Sequence, residues 1–580
     1  MSEQNINQNL QKENTQISII SLSTAETLDI DATPESKERK DYFQLKKNYS
    51  QDSQTNTSMN EVIGSISSVS NDSDINSENL QSENKVLSPK YFKNRTHEYL
   101  FIISCMVSQF MSQAGLTQAL SIMNILAEEL NAEKSRQAWL MASFTLSMGS
   151  FILVSGRLGD IYGLKKVLLG GYAILTIWSL ICGFSSYSHN DAFFITSRAF
   201  QGLGLAFVLP NSLGLIGVIY EPGSMKKNMI IGTLGAMSPI GATLGGLFAG
   251  IIGTKDPKQW PWSFYSFGIV SFCNMILSWY SIPNNIPTNI YNLSMDWIGA
   301  ILGIFGLLIL NFVFNQAPIV GWQSAYIIVL LVLSFCALVI FVVYEVKYAK
   351  TPLIPKAISS NRGMLMILFA LFCGWGAFGT WTFYYFSFVL NVRGYTAAWA
   401  GGSYFIFIVS GCAIATLCGF MMKKVPPSVI LYISMIGFMG GCVMLTVTPI
   451  HQSYFQNILG IMFVLPIGID LSFPAASIIL SDALPIQYQG MAGSLVYTIT
   501  NYSTSICLGM AGSVEAYHND NGQNILKGYR NAMIFADALA GLGIIVSGIY
   551  MVINLITIRE NSKSTNKPKH LETYSTDAEC

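Results

Sequence analysis

The stretch Gly156-Arg-Leu-Gly-Asp-Ile-Tyr-Gly-Leu-Lys-Lys166 carries three glycines and four charged residues between two long apolar runs. Glycine adopts backbone angles that other residues avoid, so glycines this close together allow the chain to reverse sharply. The stretch therefore predicts a short, charged loop between two membrane helices. Lys165 and Lys166 indicate that this loop faces the cytoplasm, because basic residues accumulate on that side of a membrane.

The composition of the 580-residue chain is that of a membrane protein. Hydrophobic residues make up 51% of it and charged residues only 11%, whereas a soluble domain averages about 25% charged residues. Apolar segments of about 20 residues are long enough to cross a bilayer. Their recurrence along the chain predicts an all-α membrane protein with 14 transmembrane helices. The segments are 98–119, 137–156, 167–186, 192–217, 229–253, 262–282, 297–316, 325–345, 364–390, 399–422, 428–447, 456–480, 487–514 and 531–557.

Charge and motif content exclude several classes of function. Lys and Arg cluster near the helix ends of one side, and an even number of spans returns the chain to that side, so both termini are predicted to be cytoplasmic. The net charge is zero without an extended basic patch, which argues against nucleic-acid partners. No phosphate-binding loop of the form Gly-x-x-x-x-Gly-Lys-(Ser/Thr) occurs. We expect no enzymatic activity, cofactor or metal.

The first 95 residues differ from the rest of the chain. Residues 1–95 are rich in Ser, Asn, Gln, Glu and Lys, and such a segment cannot bury enough apolar surface to offset its chain entropy. It predicts a disordered cytoplasmic tail, which serves either as a simple tether or as a site of regulatory phosphorylation. No charged-then-apolar segment opens the chain, so we expect no cleavable signal peptide.

The loop described above resembles the signature loop of the major facilitator superfamily, Gly-x-Leu-(Ala/Gly)-Asp-(Arg/Lys)-x-Gly-(Arg/Lys)-(Arg/Lys). Ile161 and Leu164 depart from that pattern, which is matched by Gly156, Leu158, Gly159, Asp160, Gly163 and Lys165. The resemblance implies a transporter in which two helical bundles tilt around a central site. It also implies that Asp160 acts structurally, holding the outward-open state together.

The predicted spans fall into groups of six, two and six. The stretches Asp296-Trp-Ile-Gly299 and Pro352-Leu-Ile-Pro355 are similar to the fourteen-helix drug/proton antiporter branch of the superfamily. After the tail, the predicted domains are an N-terminal six-helix bundle at 96–283, an inserted two-helix hairpin with its linkers at 284–362, a C-terminal six-helix bundle at 363–558 and a cytoplasmic tail at 559–580.

One arginine lies inside a predicted membrane helix. Arg198-Ala-Phe-Gln-Gly-Leu-Gly204 resembles the family motif Arg-x-x-x-Gly-x-Gly, whose arginine the family assigns to proton coupling. An intramembrane arginine must face the interior and find a partner, and Gln201 lies one turn away on the same face. Gln201 is also predicted to line the substrate cavity. The alternative is an arginine near a helix end that extends its charge to the membrane surface.

The fifth predicted helix is unusually rich in glycine. Its sequence resembles the exporter motif Gly-Pro-x-x-Gly-Gly, although Ser238 replaces the first glycine. Small residues let helices approach closely, and a proline allows a bend. The gating and conformational residues predicted here are Pro239, Gly241, Gly245 and Gly246, with ordinary small-residue packing as the alternative.

The first helix is polar for a membrane span. Gln109 and Gln113 lie one turn apart on the same face and are predicted to line a substrate cavity. Many relatives of this branch carry an aspartate in this helix, where this chain has Gly115. A cation in a dry cavity requires a carboxylate, so the missing acid favours a neutral substrate.

Asp470 lies near the middle of the twelfth predicted helix, between Pro466 and Pro474. A carboxylate at this depth is a functional candidate, and we predict that it couples transport to protons. The alternative is a structural acid that is hydrogen-bonded within a broken helix. Asn501 and Tyr384 are weaker candidates for the substrate cavity.

The stretches Gly468–Ala476 and Gln489–Val496 resemble the yeast aminotriazole-resistance and boron-export transporters. We therefore expect a monomeric, proton-coupled exporter of small toxic compounds, embedded in the lipid bilayer of the fungal plasma membrane. The alternatives are a vacuolar transporter of basic amino acids, a siderophore transporter, and a membrane sensor that has lost transport.

Overall fold

The computed structural model describes residues 91–565 except 134–135, 222–223, 287, 290–293, 355–357, 359, 423, 485–488 and 521. The tail predicted at 1–95 lies outside the described residues up to residue 90. The tail predicted at 559–580 lies outside them from residue 566 onwards.

Long helices account for most of the described residues. A short helix, Met123–Glu129, follows the first of them, the ninth continues as a π-helical turn at Phe388–Val392, and the tenth is preceded by the short helix Ala397–Gly402. The long helices are α1 Arg95–Ser121, α2 Trp139–Tyr162, α3 Leu164–Phe184, α4 Asp191–Ile219, α5 Met225–Lys255, α6 Pro261–Ser281, α7 Trp297–Val320, α8 Ala325–Lys347, α9 Arg362–Ser387, α10 Phe405–Met421, α11 Pro427–Thr446, α12 Ile458–Ala483, α13 Gln489–His518 and α14 Ile525–Thr565.

Twelve of the described helices are long and apolar enough to cross a membrane. The two long helices outside this set are α6 and α13. Both are rich in polar side chains: α6 contains five serines and an asparagine, and α13 contains several Ser and Thr residues. The fourteen spans and the cytoplasmic termini therefore stay predictions, while an all-helical protein with multiple membrane spans is confirmed.

The predicted loop at 156–166 is wrong in its extent. Helix α2 continues to Tyr162 and α3 begins at Leu164, so Gly156 and Asp160 are helical. The two helices are separated only by Gly163, whose φ of 105° is accessible to glycine and strained for other residues. Lys165 Nζ donates hydrogen bonds to Ile282 O at 2.6 Å and to Asn284 Oδ1 at 2.7 Å.

The helices pack as two groups with a hairpin beside them. Helix α1 packs on α5 and α6, and α4 packs on α2 and α3, while α9, α11, α12, α13 and α14 pack on one another. The two groups meet where α2 packs on α13 and where α5 packs on α10. The α7–α8 hairpin lies against α13 and α2. The predicted domain boundaries stay predictions.

Candidate functional site

A small cleft lies between α1, α2, α9 and α13, with room for about one water molecule. Its walls come from both helical groups, because α1 and α2 face α9 and α13. Of the residues predicted to line a cavity, Gln113 and Asn501 are here. The cleft is lined by uncharged residues: Ser112, Gln113, Leu116, Thr145, Met148, Trp375, Phe378, Asn501 and Thr504.

Trp375 is the main aromatic wall of this cleft. Its Nε1 donates a hydrogen bond to Ser472 Oγ at 3.1 Å, and its ring contacts Phe378 edge-on with centroids 5.6 Å apart. The hydrogen bond fixes the indole ring against α12, two residues from Asp470. The sequence did not single out Ser112, Thr145 or Thr504, because serines and threonines are common on every buried helix face here.

Gln109 lies outside the cleft lining and bridges the two helical groups. Its Nε2 donates to Ser238 Oγ on α5 at 2.7 Å, and its Oε1 accepts from the Tyr497 hydroxyl on α13 at 2.8 Å. Both ends of the amide are therefore satisfied, as a buried polar group requires. Gln109 connects α1, α5 and α13 in this conformation.

Arg198 lies wholly buried inside the first helical group. It donates to Gln201 Oε1 at 2.8 Å, to Gly115 O at 2.6 Å and to Leu140 O at 3.4 Å. Its guanidinium stacks over Phe144 at 4.3 Å from the ring centroid. Gln201 therefore serves Arg198 and does not line the cleft. The arrangement holds α1, α2 and α4 together.

Gly115 leaves no room for a side chain. A Cβ at this position would lie 2.8 Å from Phe144 Cζ and 3.1 Å from Phe267 Cζ, closer than packed carbon atoms allow. The residue instead offers its carbonyl oxygen to Arg198. The aspartate that relatives were expected to carry here could not fit without displacing Phe144.

Asp470 lies at the junction of α12 with α10 and α5. The residue is 1% exposed, and neither carboxylate oxygen has a hydrogen-bond partner among the described residues. A methyl group on Gly411 would lie 2.8 Å from Asp470 Oδ2 and 2.5 Å from Pro239 Cγ. The carboxylate and the proline of α5 thus face the same glycine of α10. No hydrogen bond in the described structure supports the alternative of a satisfied structural acid.

The glycines of α5 lie at close helix contacts. Side chains at Gly241 and Gly245 would collide with Phe110 and Ala114 of α1. Gly246 faces Gly401, with 3.6 Å between the added Cβ and Gly401 Cα. These contacts agree with close packing between α5, α1 and the Ala397–Gly402 segment.

Tyr384 lies in a different pocket from Gln113 and Asn501, lined also by Phe388 and Tyr529. Its hydroxyl donates to Glu515 Oε2 at 2.7 Å. Glu515 was not predicted as a site residue. The sequence signal that could have found it is a carboxylate directly after a predicted membrane helix.

Comparison with known proteins defines the class. The sequence profile of the Major Facilitator Superfamily matches residues 105–291 and 288–508. The chain therefore belongs to this superfamily of membrane transporters, which are not enzymes. The predicted resemblance to the superfamily is thereby confirmed.

Individual relatives cover most of the chain. It is 58% identical to the "Aminotriazole resistance protein" of Saccharomyces cerevisiae, over 83% of this chain and 88% of the relative. It is 38% identical to the "Low affinity ammonium transporter" of the same yeast, over 82% and 94%. It is 35% identical to the "Efflux pump terJ" of Aspergillus terreus, over 86% and 96%. The resemblance to the aminotriazole-resistance group is therefore confirmed.

Proposed function

We propose that this protein exports small, neutral, toxic compounds across the fungal plasma membrane in exchange for protons. The observation that carries the proposal is the uncharged cleft, where amide and hydroxyl groups stand beside an aromatic wall. In a conformation in which the two helical groups move apart, a planar, neutral heterocycle such as aminotriazole would stack on Trp375 and form hydrogen bonds with Gln113 and Asn501. The names of two relatives, a resistance protein and an efflux pump, support export.

Boric acid is the second substrate considered. It is small and neutral, and its hydroxyl groups suit the same amides. It has no ring to stack on Trp375, so the cleft favours aminotriazole over boric acid.

Asp470 is the proposed proton carrier. A buried carboxylate without hydrogen-bond donors is stabilised when it is protonated, and its place beside Pro239 and Gly411 lets its charge influence the contact between α5 and α10. Arg198 keeps its proton, and each of its three side-chain nitrogens donates to an oxygen acceptor. Its proposed part in coupling is to position α1 and α2 at the cleft. We propose that the exporter acts as a monomer with fourteen spans and cytoplasmic termini.

The test measures accumulation of labelled aminotriazole, and separately of boric acid, in cells that lack their own exporters. Wild-type protein should lower accumulation, and collapsing the proton gradient should abolish the effect. Asp470→Asn should abolish it as well, because an amide cannot exchange the proton. The matched control is Asp537→Asn, since Asp537 is also a helical acid but accepts a hydrogen bond from Thr446 at 2.8 Å.

Unchanged accumulation with surface-expressed wild-type protein would refute export of these compounds. Vacuolar transport of basic amino acids, or ammonium transport as in the named relative, would then be tested. Both need recognition of a cation, and no lining residue of the cleft is acidic. A sensor role would be indicated if the wild-type protein transported no substrate and deletion of residues 1–90 abolished a cellular signal.

A further inference from the structure

The base of the α7–α8 hairpin contains two buried acids that the proposed transport mechanism does not use. Asp296 precedes α7 and is 8% exposed, and Glu345 lies near the end of α8 and is 7% exposed. Asp296 Oδ1 accepts the Gly299 N–H at 3.0 Å, and Glu345 Oε1 accepts the Leu353 N–H at 3.2 Å. The second oxygen of each carboxylate has no hydrogen-bond partner among the described residues.

The two carboxylates approach each other over Gly299. A methyl group on Gly299 would lie 2.7 Å from Glu345 Oε1 and would also collide with Asp296 Oδ2. Glycine at this position therefore leaves the space that the two acids share. Two carboxylates this close and this buried repel each other when both are ionised.

A buried arginine of α2 lies near Glu345. Arg157 is 1% exposed, its Nε and Nη1 have no hydrogen-bond partner among the described residues, and it lies within electrostatic range of Glu345. The apolar contacts around it join the same elements, because Val154 of α2 packs with Ala300 of α7 and Phe341 of α8. Two nitrogens of this buried guanidinium, and one oxygen of each nearby acid, thus lack a hydrogen-bond partner among the described residues.

The junction also touches the chain reversal between α2 and α3. A Cβ on Gly163 would lie 3.0 Å from Thr288 Cγ2, in the segment that leads into α7. The other titratable groups here are Asp160, one turn beyond Arg157 and engaged with a partner of its own, and Tyr344, whose side chain faces Asp296. The base of the hairpin is therefore attached to the family's signature loop.

We propose that Asp296 and Glu345 share one proton and together neutralise Arg157, so that the hairpin is held on α2 by a proton-binding site. Two ionised carboxylates and one guanidinium would leave one buried negative charge, which is costly. One proton from water on one carboxylate makes the cluster neutral. The proton belongs to the pair and is not assigned to either acid.

This inference does not depend on the substrate or on export, and its test uses thermal unfolding of the purified full-length protein in detergent. If the folded pair retains a proton that the unfolded chain releases, stability falls as the pH rises and that proton is lost. Glu345→Gln leaves one acid and one arginine, already neutral, so its melting temperature should match wild type near pH 4, where the unfolded chain also binds the proton, and should already exceed wild type at pH 7. It should exceed wild type by about 2 °C or more near pH 9.

The double variant Asp296→Asn/Glu345→Gln tests the role of Arg157. It leaves the guanidinium buried without a counter-charge, so its melting temperature should fall by about 5 °C or more at every pH. Adding Arg157→Met should restore at least half of that loss. The matched control is Asp520→Asn, which removes an exposed carboxylate from its pair with Lys527 and should change little.

Two results would overturn the proposal. A loss of stability in Glu345→Gln near pH 7 as large as that of the double variant would mean that both acids are ionised. A double variant as stable as wild type would mean that Arg157 does not need them. If the double variant fails to fold but the triple variant folds, the result supports the charge balance. If both variants fail to fold, the result counts against it. In either case the pH profile of Glu345→Gln tests the shared proton.

Discussion

Arg198 and Asp470 are both almost completely buried, yet their surroundings are opposite. Arg198 donates to three oxygens within one helical group and stacks on Phe144. Asp470 accepts no hydrogen bond among the described residues and lies where α12 meets α10 and α5 of the other group. The first charge is fixed within one helical group. The second lies at a contact between the two helical groups.

The largest effect on stability is expected at Arg198. Arg198→Ala removes the stacking on Phe144 and leaves a cavity between α1, α2 and α4, which should lower the free energy of unfolding by about 3 kcal/mol or more. Chemical denaturation of the purified protein measures this. Arg530→Ala is the control, because Arg530 is exposed and its loss should stay within about 0.5 kcal/mol. Equal stability of Arg198→Ala and wild type would show that the hydrogen-bonded arginine does not hold the group together.

An intermediate effect is expected at Gly411. Gly411→Ala places a methyl group against Pro239 Cγ and Asp470 Oδ2, and such overpacking costs about 1 to 3 kcal/mol. We expect a large loss of transport beside this moderate loss of stability, because the methyl group separates α10 from Pro239 of α5.

Gly419→Ala is the matched control for that substitution. Gly419 lies further along α10, and its added methyl group would be 3.3 Å from Met229 Sδ, the flexible part of a side chain that can move away. If both variants lose transport equally, the loss reflects α10 in general and not the contact with Asp470.

The smallest change in stability is expected at Asp470 itself. Asp470→Asn removes a group that can ionise without breaking any hydrogen bond in the described structure. The free energy of unfolding near neutral pH should therefore stay within about 1 kcal/mol of wild type, while the proton dependence of transport is lost. A large loss of stability would show that Asp470 is a structural acid and would remove the contrast with Arg198.

The helical architecture was largely predictable because it follows from local patterns. Apolar segments of membrane length gave the positions of all fourteen long helices, and the signature loop gave the family. The end of α2 was predicted too early. Arg157 and Asp160 looked like loop residues because they are charged, yet both are helical, and Arg157 is buried against the hairpin. A charged residue can therefore lie within a helix when a neighbouring helix covers it.

The site was predictable only in part. Gln113 and Asn501 lie in the cleft, because polar residues on an otherwise apolar helix usually face the interior, and their role in substrate binding stays a prediction. Gln109 and Gln201 are also polar residues on apolar helices, but they are hydrogen-bonded to Tyr497 and Arg198, respectively. Tyr384 is engaged by Glu515 in another pocket. Sequence cannot tell a lining side chain from one that already has a partner.

The sequence by itself determined the class of protein, the helical positions and the presence of buried charges at Arg198 and Asp470, since periodicity and composition are properties of a single segment. Only the tertiary structure decided which charges are satisfied. Gly115 offers a carbonyl to Arg198, while Gly411 brings Pro239 and Asp470 to the same point. These contacts join residues far apart in the chain, and close packing between helices, which no local pattern encodes, determines whether a buried polar atom finds a partner.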